Sequence, residues 1–318
     1  MDPIVPFEPV LTEQIPQGEQ WIAQVKWDGV RILTYYDGRS VRLFNRRLNE
    51  RTAQYPELQS IERFCSASSI ILDGEMVAFS EGKPSFYEIM RRDGLRKIDN
   101  LERAKRETPV TYMVFDILFY NGEWVIRQPL ADRQTLLHNV LIPQPDIHLV
   151  ENFPDGKHLF QAIKAQGLEG IVCKDLTSSY TIGGKDARWR KRKNYRDLNA
   201  VVGGFTLRDG IVNSLLLGLY DQEDCLWYIG HAGTGKLTQQ DWQDLTKALK
   251  PLVIQERPFV NKPERNREAF WVKPLLTAKI QYFEWTPQQT LRQPSIQALV
   301  MDSSKKCRFE PPGPSGSS

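Results

Sequence analysis

The sequence predicts an α+β protein of two domains, in which a mixed domain of strands and helices is followed by a smaller domain made mostly of strands. Three observations predict this class. The chain has 318 residues, enough for two cores. Its first two thirds alternate short β-branched and aromatic runs with segments of helical periodicity. After residue 200, short strand-like runs recur with a single good helix among them. We expect domains at 1–196 and 197–310 and a disordered Pro/Gly/Ser tail at 311–318.

Composition narrows the class of protein without assigning a function. The chain is 41% hydrophobic and 25% charged, and its net charge of +3 does not by itself indicate nucleic-acid binding. The four cysteines form no C-x-x-C pair, which argues against a zinc site and against a secreted disulfide scaffold. No apolar run approaches the ~20 residues of a membrane span, and the N-terminus lacks a signal-peptide pattern. We therefore expect a cytoplasmic monomer without membrane association.

Lys26 occupies the position around which the first domain is organised. Runs 21–25 and 30–36 both have strand composition, and Asp28-Gly29 has the chemistry of a turn between them. The sequence thus predicts a hairpin with Lys26 at a strand end, facing a pocket, and Arg46 and Arg47 closing the same hairpin. A lysine with its ordinary pKa of ~10.4 is protonated, so it becomes a nucleophile only if burial or nearby cations lower that pKa. The alternative is a solvated lysine at a hairpin end.

The following segments carry three acidic residues in apolar surroundings. A helix is predicted at 56–65, and a strand at 69–79 is interrupted by Asp73-Gly74-Glu75. A buried carboxylate there needs a partner, whereas one at a strand edge could face water. Segment 91–107 has mixed charges and is predicted to be a solvated helix or loop. Strand 110–120 contains Phe115, by itself an ordinary core residue, beside Asp116, and ends at an Asn121-Gly122 hairpin turn.

The end of the first domain is basic. After helices that follow Pro129 and span 154–166, a strand at 168–174 opens with Glu169-Gly170 and ends in Lys174. Residues 185–196 form the most basic stretch of the chain. Within it Trp189, Lys191 and Lys193 alternate, so on a strand they share one face. This stretch is either a solvated charged surface or a phosphate site.

The second domain has the pattern of a small β-barrel. Strands are predicted at 200–207, 211–220, 226–230, 270–272 and 278–285, with one helix capped by Thr238. Many short strands with one helix in such a length suggest a barrel such as an OB-fold.

Taken in order, five short motifs resemble one enzyme superfamily. They are Lys26-x-Asp28-Gly29-x-Arg31, Asp73-Gly74-Glu75, Phe115-Asp116, Glu169-Gly170 and Lys191-x-Lys193. This set resembles the covalent nucleotidyltransferases, which comprise DNA ligases, RNA ligases and capping enzymes. It is most similar to the ATP-dependent DNA ligase modules of bacterial end-joining systems, over about residues 5–305. The resemblance implies an ATP-grasp-like nucleotidyltransferase domain of antiparallel sheets with helices, followed by an OB-fold domain.

The resemblance also implies a three-step reaction. A lysine attacks the α-phosphate of ATP and carries AMP, the AMP passes to the 5′-phosphate at a nick, and the 3′-hydroxyl then expels AMP. Lys26 would be the nucleophile, with Lys191 and Lys193 lowering its pKa and stabilising charge on the α-phosphate. Glu75 and Glu169 would bind Mg²⁺, with Mn²⁺ as an alternative. The catalytic set is then Lys26, Asp28, Lys191 and Lys193, and the further nucleotide-binding residues are Gln24, Arg31, Arg46, Glu75, Phe115, Glu169 and Lys174.

One motif departs from the pattern. The last motif of the family offers basic residues that act on pyrophosphate, but Val300 and Ser303 stand in those positions here, and only Asp302 remains. Lys305, Lys306 and Arg308 could substitute through a shifted turn, or else self-adenylylation is slow. The expected substrate is nicked duplex DNA, in DNA repair, and an end-binding repair protein is a possible partner. An RNA ligase, a GTP-using capping-type enzyme and a nick-binding protein with impaired self-adenylylation are the alternatives.

Overall fold

The computed structural model describes residues 1–95, 101–264, 266–300 and 303–309, with only the backbone at 101 and 102. The chain divides into two compact units, Met1–Asn194 and Tyr195–Ser318, two residues before the boundary that the sequence predicts. The predicted tail at 311–318 lies outside the described residues. No helix in the described part of the chain is long and apolar enough to cross a membrane.

The first unit combines two β-sheets with helices. Its strands are β1 (Glu8–Leu11), β2 (Trp21–Val25), β3 (Val30–Tyr36), β4 (Val41–Asn45), β5 (Ile70–Ser80), β6 (Lys83–Pro84), β7 (Val110–Tyr120), β8 (Glu123–Trp124), β9 (Ile147–Leu149), β10 (Gly170–Asp175) and β11 (Lys185–Lys193). Its helices are α1 (Phe86–Asp93), α2 (Leu101–Glu107), α3 (Leu130–Val140) and α4 (Gly156–Gln166).

The two sheets are separate, and each has one face against a helical layer. One sheet has the order β1-β11-β10-β2, and α4 packs on it in a cluster that includes Ala23 and Ile171. The other has the order β4-β3-β5-β7-β8, with β6 paired to β5 and β9 paired to β7. The apolar cluster between this sheet and its helices includes Ile89 of α1 and Leu137 of α3. A further cluster, which contains Leu33 of the second sheet and Trp189 of the first, packs between the sheets.

The predicted hairpin around Lys26 is wrong. Strand β2 pairs with β10 and strand β3 pairs with β4 and β5, so residues 26–29 cross from one sheet to the other. Glycine is required at position 29 because the chain passes close to β5 there. A Cβ at this position would lie 2.1 Å from the carbonyl oxygen of Met76. Arg46 and Arg47 consequently follow the β3–β4 hairpin, which does not carry Lys26.

Three further predictions in the first unit need correction. Segment 56–65 forms two 3₁₀ turns, Pro56–Leu58 and Ile61–Arg63, because its buried residues recur every third position, which is the 3₁₀ period. Strand β5 runs without a break through Asp73-Gly74-Glu75 and absorbs that stretch as register shifts against β7. In the charged segment, Arg92 is buried and donates to Glu57 at 2.8 Å, while residues 96–100 lie outside the described residues.

Other elements of the first unit are confirmed. Strands β2, β3 and β7 have the predicted bounds. Asn121 and Gly122 both have positive φ, 46° and 95°, as a two-residue hairpin turn with φ > 0 at both positions requires. Helix α4 is capped by the Asp155 side chain and ends at Gly167 in the left-handed conformation.

The second unit is the predicted OB-fold-like β-structure. It contains β12 (Arg196–Arg208), β13 (Ile211–Tyr220), β14 (Leu226–Ala232), α5 (Gln239–Leu249), β15 (Val253–Ile254), β16 (Phe270–Val272), β17 (Thr277–Tyr282) and β18 (Ser295–Val300). Strand β12 pairs with β13, β16 and β17, and β17 pairs with β18. Ile296 of β18 then bonds through its backbone to residues 234 and 236 just after β14, which closes the sheet around an apolar core. Thr238 caps α5 with a reciprocal capping box, whereas β18 was not predicted.

Candidate active site

The four-stranded sheet gathers the predicted site residues on one face. Alternate residues of a strand and direct cross-strand partners share a face. Gln24 pairs with Val172 and Val172 with Lys191, while the Lys26 N–H donates to the carbonyl oxygen of Gly170. Gly170, at φ +149°, is required here because a Cβ would lie 2.2 Å from the carbonyl oxygen of Arg192. The resulting face carries Gln24, Lys26, Lys174, Trp189, Lys191 and Lys193.

Glu169 links two of these lysines. Lys26 Nζ donates to Glu169 Oε2 at 2.6 Å, and Lys193 Nζ lies 3.2 Å from Glu169 Oε1. The carboxylate side chain is 4% exposed and that of Lys26 is 23% exposed. A nearly buried carboxylate is thus shared by two cations, while the proposed nucleophile remains accessible.

The predicted lowering of the Lys26 pKa is wrong. Burial by itself lowers this pKa, but the charge of Glu169, followed by those of Glu75 and Asp28, raises it above the ordinary value. The pKa of the neighbouring Lys191 is lowered, first through burial and then through the charges of Lys26 and Lys193. Lys26 is therefore a paired ammonium ion when no nucleotide is present.

Glu75 faces the same lysine from the second sheet. It lies on β5 opposite Arg31 of β3, and burial raises its pKa to about 8 although Lys26 and Arg31 act in the other direction. Glu75 and Glu169 together offer hard oxygen ligands, which fit Mg²⁺ because this ion uses one or two carboxylates with water and phosphate. Among the described residues, no group of three His, Cys, Asp or Glu side chains forms a self-sufficient metal site.

Phe115 and Trp189 surround a buried lysine. Lys174 Nζ lies 4.3 Å from the centroid of the Phe115 ring and 4.1 Å from that of Trp189, and it donates to the Phe115 carbonyl oxygen at 3.4 Å. Burial lowers the pKa of Lys174 to about 7. Phe115 itself is only half-buried, so part of its ring is accessible to a ligand.

Arg31 does not point at open space. Its Nε and Nη2 donate to the two carboxylate oxygens of Asp73 at 2.8 and 2.6 Å, and its Nη1 donates to the Phe7 carbonyl oxygen. The hydroxyl of Tyr180 donates to Asp73 as well, at 2.9 Å. The guanidinium is thereby engaged inside the fold, where it also lies 5.2 Å from the Phe115 ring centroid. In this conformation Arg31 connects Asp73 of β5 to the backbone of Phe7.

Arg46 and Asp116 lie in different surroundings from the lysine cluster. The Arg46 side chain is 62% exposed and its Nη1 lies 3.9 Å from Glu8. Asp116 forms a fully buried, two-pronged ion pair with Arg133 of α3, at 2.9 and 3.0 Å. This pair supplies the partner that a carboxylate in an apolar strand needs.

Two residues near Gln24 were not predicted. Gln24 Nε2 donates to Asn152 Oδ1 at 2.7 Å, and Asn152 Nδ2 donates to Gln134 Oε1 at 3.0 Å. Gln134 lies on α3 and Asn152 in the segment after β9, and neither stands in a recognisable motif. Only the fold brings these amides next to Gln24, so no sequence signal could have identified them.

Comparison with known proteins decides the family. The family model for the ATP dependent DNA ligase domain matches residues 8–193, and that for the ATP dependent DNA ligase C terminal region matches residues 208–303. The chain belongs to the ATP-dependent DNA ligase family. The matched segment 8–193 includes all the predicted site residues.

Relatives and solved structures agree with this assignment. The chain is similar to the multifunctional non-homologous end joining DNA repair protein LigD of Mycobacterium tuberculosis H37Rv, with 33% identity over 294 residues, 90% of this chain and 37% of the relative. LigD of Mycolicibacterium smegmatis is 30% identical over 91% of this chain and 37% of its own length. This ligase chain therefore spans little more than a third of these relatives. The crystal structure of the M. tuberculosis LigD ligase domain superposes with a TM-score of 0.52 at 30% identity, covering 96% of this chain and 98% of that one.

The altered last motif lies at the end of the second unit. Strand β18 ends at Val300, and residues 301 and 302, which include Asp302, lie outside the described residues. Of the basic residues just beyond, Arg308 pairs with Asp224 and donates to the Asp221 carbonyl oxygen. Lys305 and Lys306 are exposed. Arg308 is thus engaged within its own unit, and the two lysines are the remaining basic groups of this segment.

Proposed function

We propose that this ligase seals nicks in duplex DNA with ATP, through a covalent AMP adduct on Lys26, in DNA repair by end joining. The observation that carries the proposal is the pairing of an accessible Lys26 with the nearly buried Glu169, on a sheet face that also presents Lys191 and Lys193. Family membership and the similarity to LigD support ATP as the nucleotide and DNA as the substrate.

The first step makes an N–P bond. Lys26 Nζ attacks the α-phosphorus of ATP, the bond to the bridging oxygen of the β-phosphate breaks, and pyrophosphate leaves with that electron pair. The attacking nitrogen must lose a proton, and Glu169 Oε2, at 2.6 Å, is the hydrogen-bonded oxygen placed to receive it. Lys191 and Lys193 provide positive charge where negative charge develops on the phosphate.

A divalent metal fits the carboxylates of this site. Glu75 and Glu169 would hold Mg²⁺ or Mn²⁺, which neutralises charge on phosphate oxygens when bound. The half-buried Phe115 would stack on adenine, and Lys174 Nζ lies 4.3 Å from the centroid of its ring.

Two further steps complete the reaction. The 5′-phosphate at the nick displaces Lys26 and takes the AMP, and the 3′-hydroxyl then attacks that phosphate and releases AMP. Exposed cations such as Arg46 suit contacts to DNA phosphates, which position a duplex without reading its sequence. We propose a monomer that acts on nicked duplex DNA, with an end-binding repair protein as a partner.

A nick-sealing assay tests the proposal. We expect wild-type protein to join a 5′-phosphorylated nick in duplex DNA with ATP and Mg²⁺, and to act more weakly with GTP or on a nick in RNA. Lys26→Ala should abolish joining, whereas Lys164→Ala, an exposed lysine of α4, should leave it unchanged. A pre-adenylylated nick should be sealed even if the altered last motif slows self-adenylylation. Failure to seal either nick would contradict the proposal.

A further inference from the structure

A chain of three side-chain amides connects Gln24 to the backbone beside the Phe115 ring. Gln24 donates to Asn152 at 2.7 Å, Asn152 donates to Gln134 at 3.0 Å, and Gln134 Nε2 donates to the Phe115 carbonyl oxygen at 2.8 Å. Gln24 stands two residues before Lys26 on β2, so its side chain shares the face of the proposed nucleophile.

The backbone carbonyl sets the direction of the whole chain. A carbonyl oxygen can only accept, so Gln134 must turn its NH₂ group toward Phe115 and its oxygen toward Asn152. Asn152 must then present its NH₂ to Gln134 and its oxygen to Gln24. Gln24 in turn must donate through Nε2. Reversing any one amide would place two acceptors or two donors face to face. Such a contact is costly because Gln134 and Gln24 are only 8% and 2% exposed, so water cannot replace the lost hydrogen bonds.

This direction leaves Gln24 Oε1 as an acceptor. Within the described part of the chain, no hydrogen bond to Oε1 is formed, and its partner atom Nε2 is committed to Asn152. An acceptor at this place attracts an amino group and repels a carbonyl oxygen. The two common purine nucleotides differ in this way at position 6, where adenine carries an amino group and guanine an oxygen.

We propose that Asn152 and Gln134 are positioning residues for base selection, which hold the Gln24 amide so that Oε1 accepts from the 6-amino group of adenine and excludes a 6-oxo purine. The proposal rests on the proposed function, since it deepens the choice of nucleotide at the same site. The orientation of the Gln24 amide would then distinguish adenine from a 6-oxo purine. That orientation is set by the backbone carbonyl of Phe115 on β7.

The test compares ATP with inosine triphosphate, which differs from it by a 6-oxo group. The readout is the rate of formation of the covalent protein–nucleotide adduct at low nucleotide concentration, expressed as the ATP:ITP ratio. Gln134→Leu frees the amides of Asn152 and Gln24 to reverse. ATP would then lose one hydrogen bond to its 6-amino group, and the repulsion of the 6-oxo group of ITP would be relieved. We therefore expect the ATP:ITP ratio to fall by about tenfold or more. Asn139→Leu, an exposed amide on the same helix, should keep the wild-type ratio.

A pair of substitutions at Asn152 separates positioning from packing. Asn152→Leu should lower the ratio, whereas Asn152→Asp should retain more of it than Asn152→Leu does, because a carboxylate oxygen still accepts from Gln24 Nε2 even though the donor to Gln134 Oε1 is lost. Asn152 is exposed, so these variants keep the test usable if Gln134→Leu fails to fold. A purely structural role would slow both nucleotides in parallel and leave the ratio unchanged.

The outcomes distinguish this inference from the proposed function. If wild-type protein forms no adduct with ATP, the proposed function fails. If the adduct forms but wild type does not discriminate, or Asn152→Leu keeps the full ATP:ITP ratio, the positioning role is overturned while the ligase function stands.

Discussion

A lysine that attacks a phosphate must first lose a proton, and in the proposed mechanism Glu169, whose Oε2 lies 2.6 Å from Lys26 Nζ, receives it. Without nucleotide, the carboxylates around Lys26 raise its pKa and keep it cationic. A cationic lysine attracts a polyphosphate but cannot attack it. We therefore propose that formation of the AMP adduct depends on proton transfer from Lys26 to Glu169. This proton transfer makes the rate of adduct formation dependent on pH.

The substitution Glu169→Gln tests this dependence. Anionic neighbours raise the pKa of Lys26, so removing the charge of Glu169 lowers that pKa and increases the neutral fraction of the amine near neutrality. We expect the pH midpoint of adduct formation at low ATP, which reports the free enzyme, to move to lower pH. The maximal rate should fall, because the proton acceptor and a metal ligand are lost. Glu123→Gln, on the exposed strand β8, serves as the control, and a midpoint that stays in place or rises would refute the argument.

Substitution of Phe115 distinguishes a ring that stacks on the adenine base from a ring that only packs in the core. Phe115→Ala should raise KM for ATP by about tenfold, within the ~1–3 kcal/mol that a base–aromatic stack contributes, and should leave the protein folded. Phe119→Ala on the same strand removes a half-buried ring that packs against Trp124, and it should change KM little. Steady-state kinetics and thermal unfolding on both variants make the comparison. A Phe115→Ala protein with a lowered thermal unfolding temperature and an unchanged KM for ATP would show that the ring is ordinary core.

At the scale of elements, the register of β2, β10 and β11 assembles the site. Each strand contributes residues at alternate positions, and the cross-strand pairs align Lys26, Gly170 and Lys193 in one row. Strand bounds such as those of β2 and β3 followed from local composition. Their partners did not, because pairing is decided by contacts far apart in sequence. Asp28-Gly29 has the composition of a turn, but the chain crosses from one sheet to the other there. The glycine is needed because the backbone passes close to β5.

The ion pair between β7 and α3 provides a prediction about stability. Arg133→Ala would leave Asp116 as an uncompensated buried carboxylate, and we expect the free energy of unfolding to fall by about 3–5 kcal/mol. The double substitution Asp116→Leu with Arg133→Leu removes both charges and should be clearly less destabilising than the single one. Denaturant unfolding measures both. An equal loss in the single and double variants would show that packing of the arginine stem, and not the buried charge, is what matters. Arg103→Ala, from an exposed pair with Glu107, should have little effect.

At the scale of the whole molecule, the order of motifs predicted the family and the two-domain class, while the surroundings of each site residue came only from the fold. Lys26, Glu169 and Lys193 were foreseen as a group, because the family pattern names them. The sign of the Lys26 pKa shift was not, since the charges of Glu169, Glu75 and Asp28 outweigh the burial that by itself lowers this pKa. Asn152 and Gln134 could not be found from a single sequence, because amides in a loop and on a helix carry no motif.

Binding to DNA should depend on salt and not on sequence. With 42 Lys and Arg against 39 Asp and Glu, the chain as a whole is nearly balanced, so affinity must come from local cations on phosphates. We expect the logarithm of the binding constant for a nicked duplex to fall linearly with the logarithm of salt concentration. Arg46→Ala should reduce that slope by about 1, the value for one phosphate contact. Fluorescence anisotropy across a salt series measures this, and a flat dependence would contradict a phosphate-binding surface.

The central claim is that Lys26 carries the nucleotide. The most direct measurement is to mix the protein with α-labelled ATP and Mg²⁺, digest it and locate the labelled peptide by mass spectrometry. We predict one AMP on Lys26 in the wild type and no label on Lys26→Ala. Label that persists in Lys26→Ala, or that lies on Lys191 or on Lys174 with its pKa of about 7, would contradict the account.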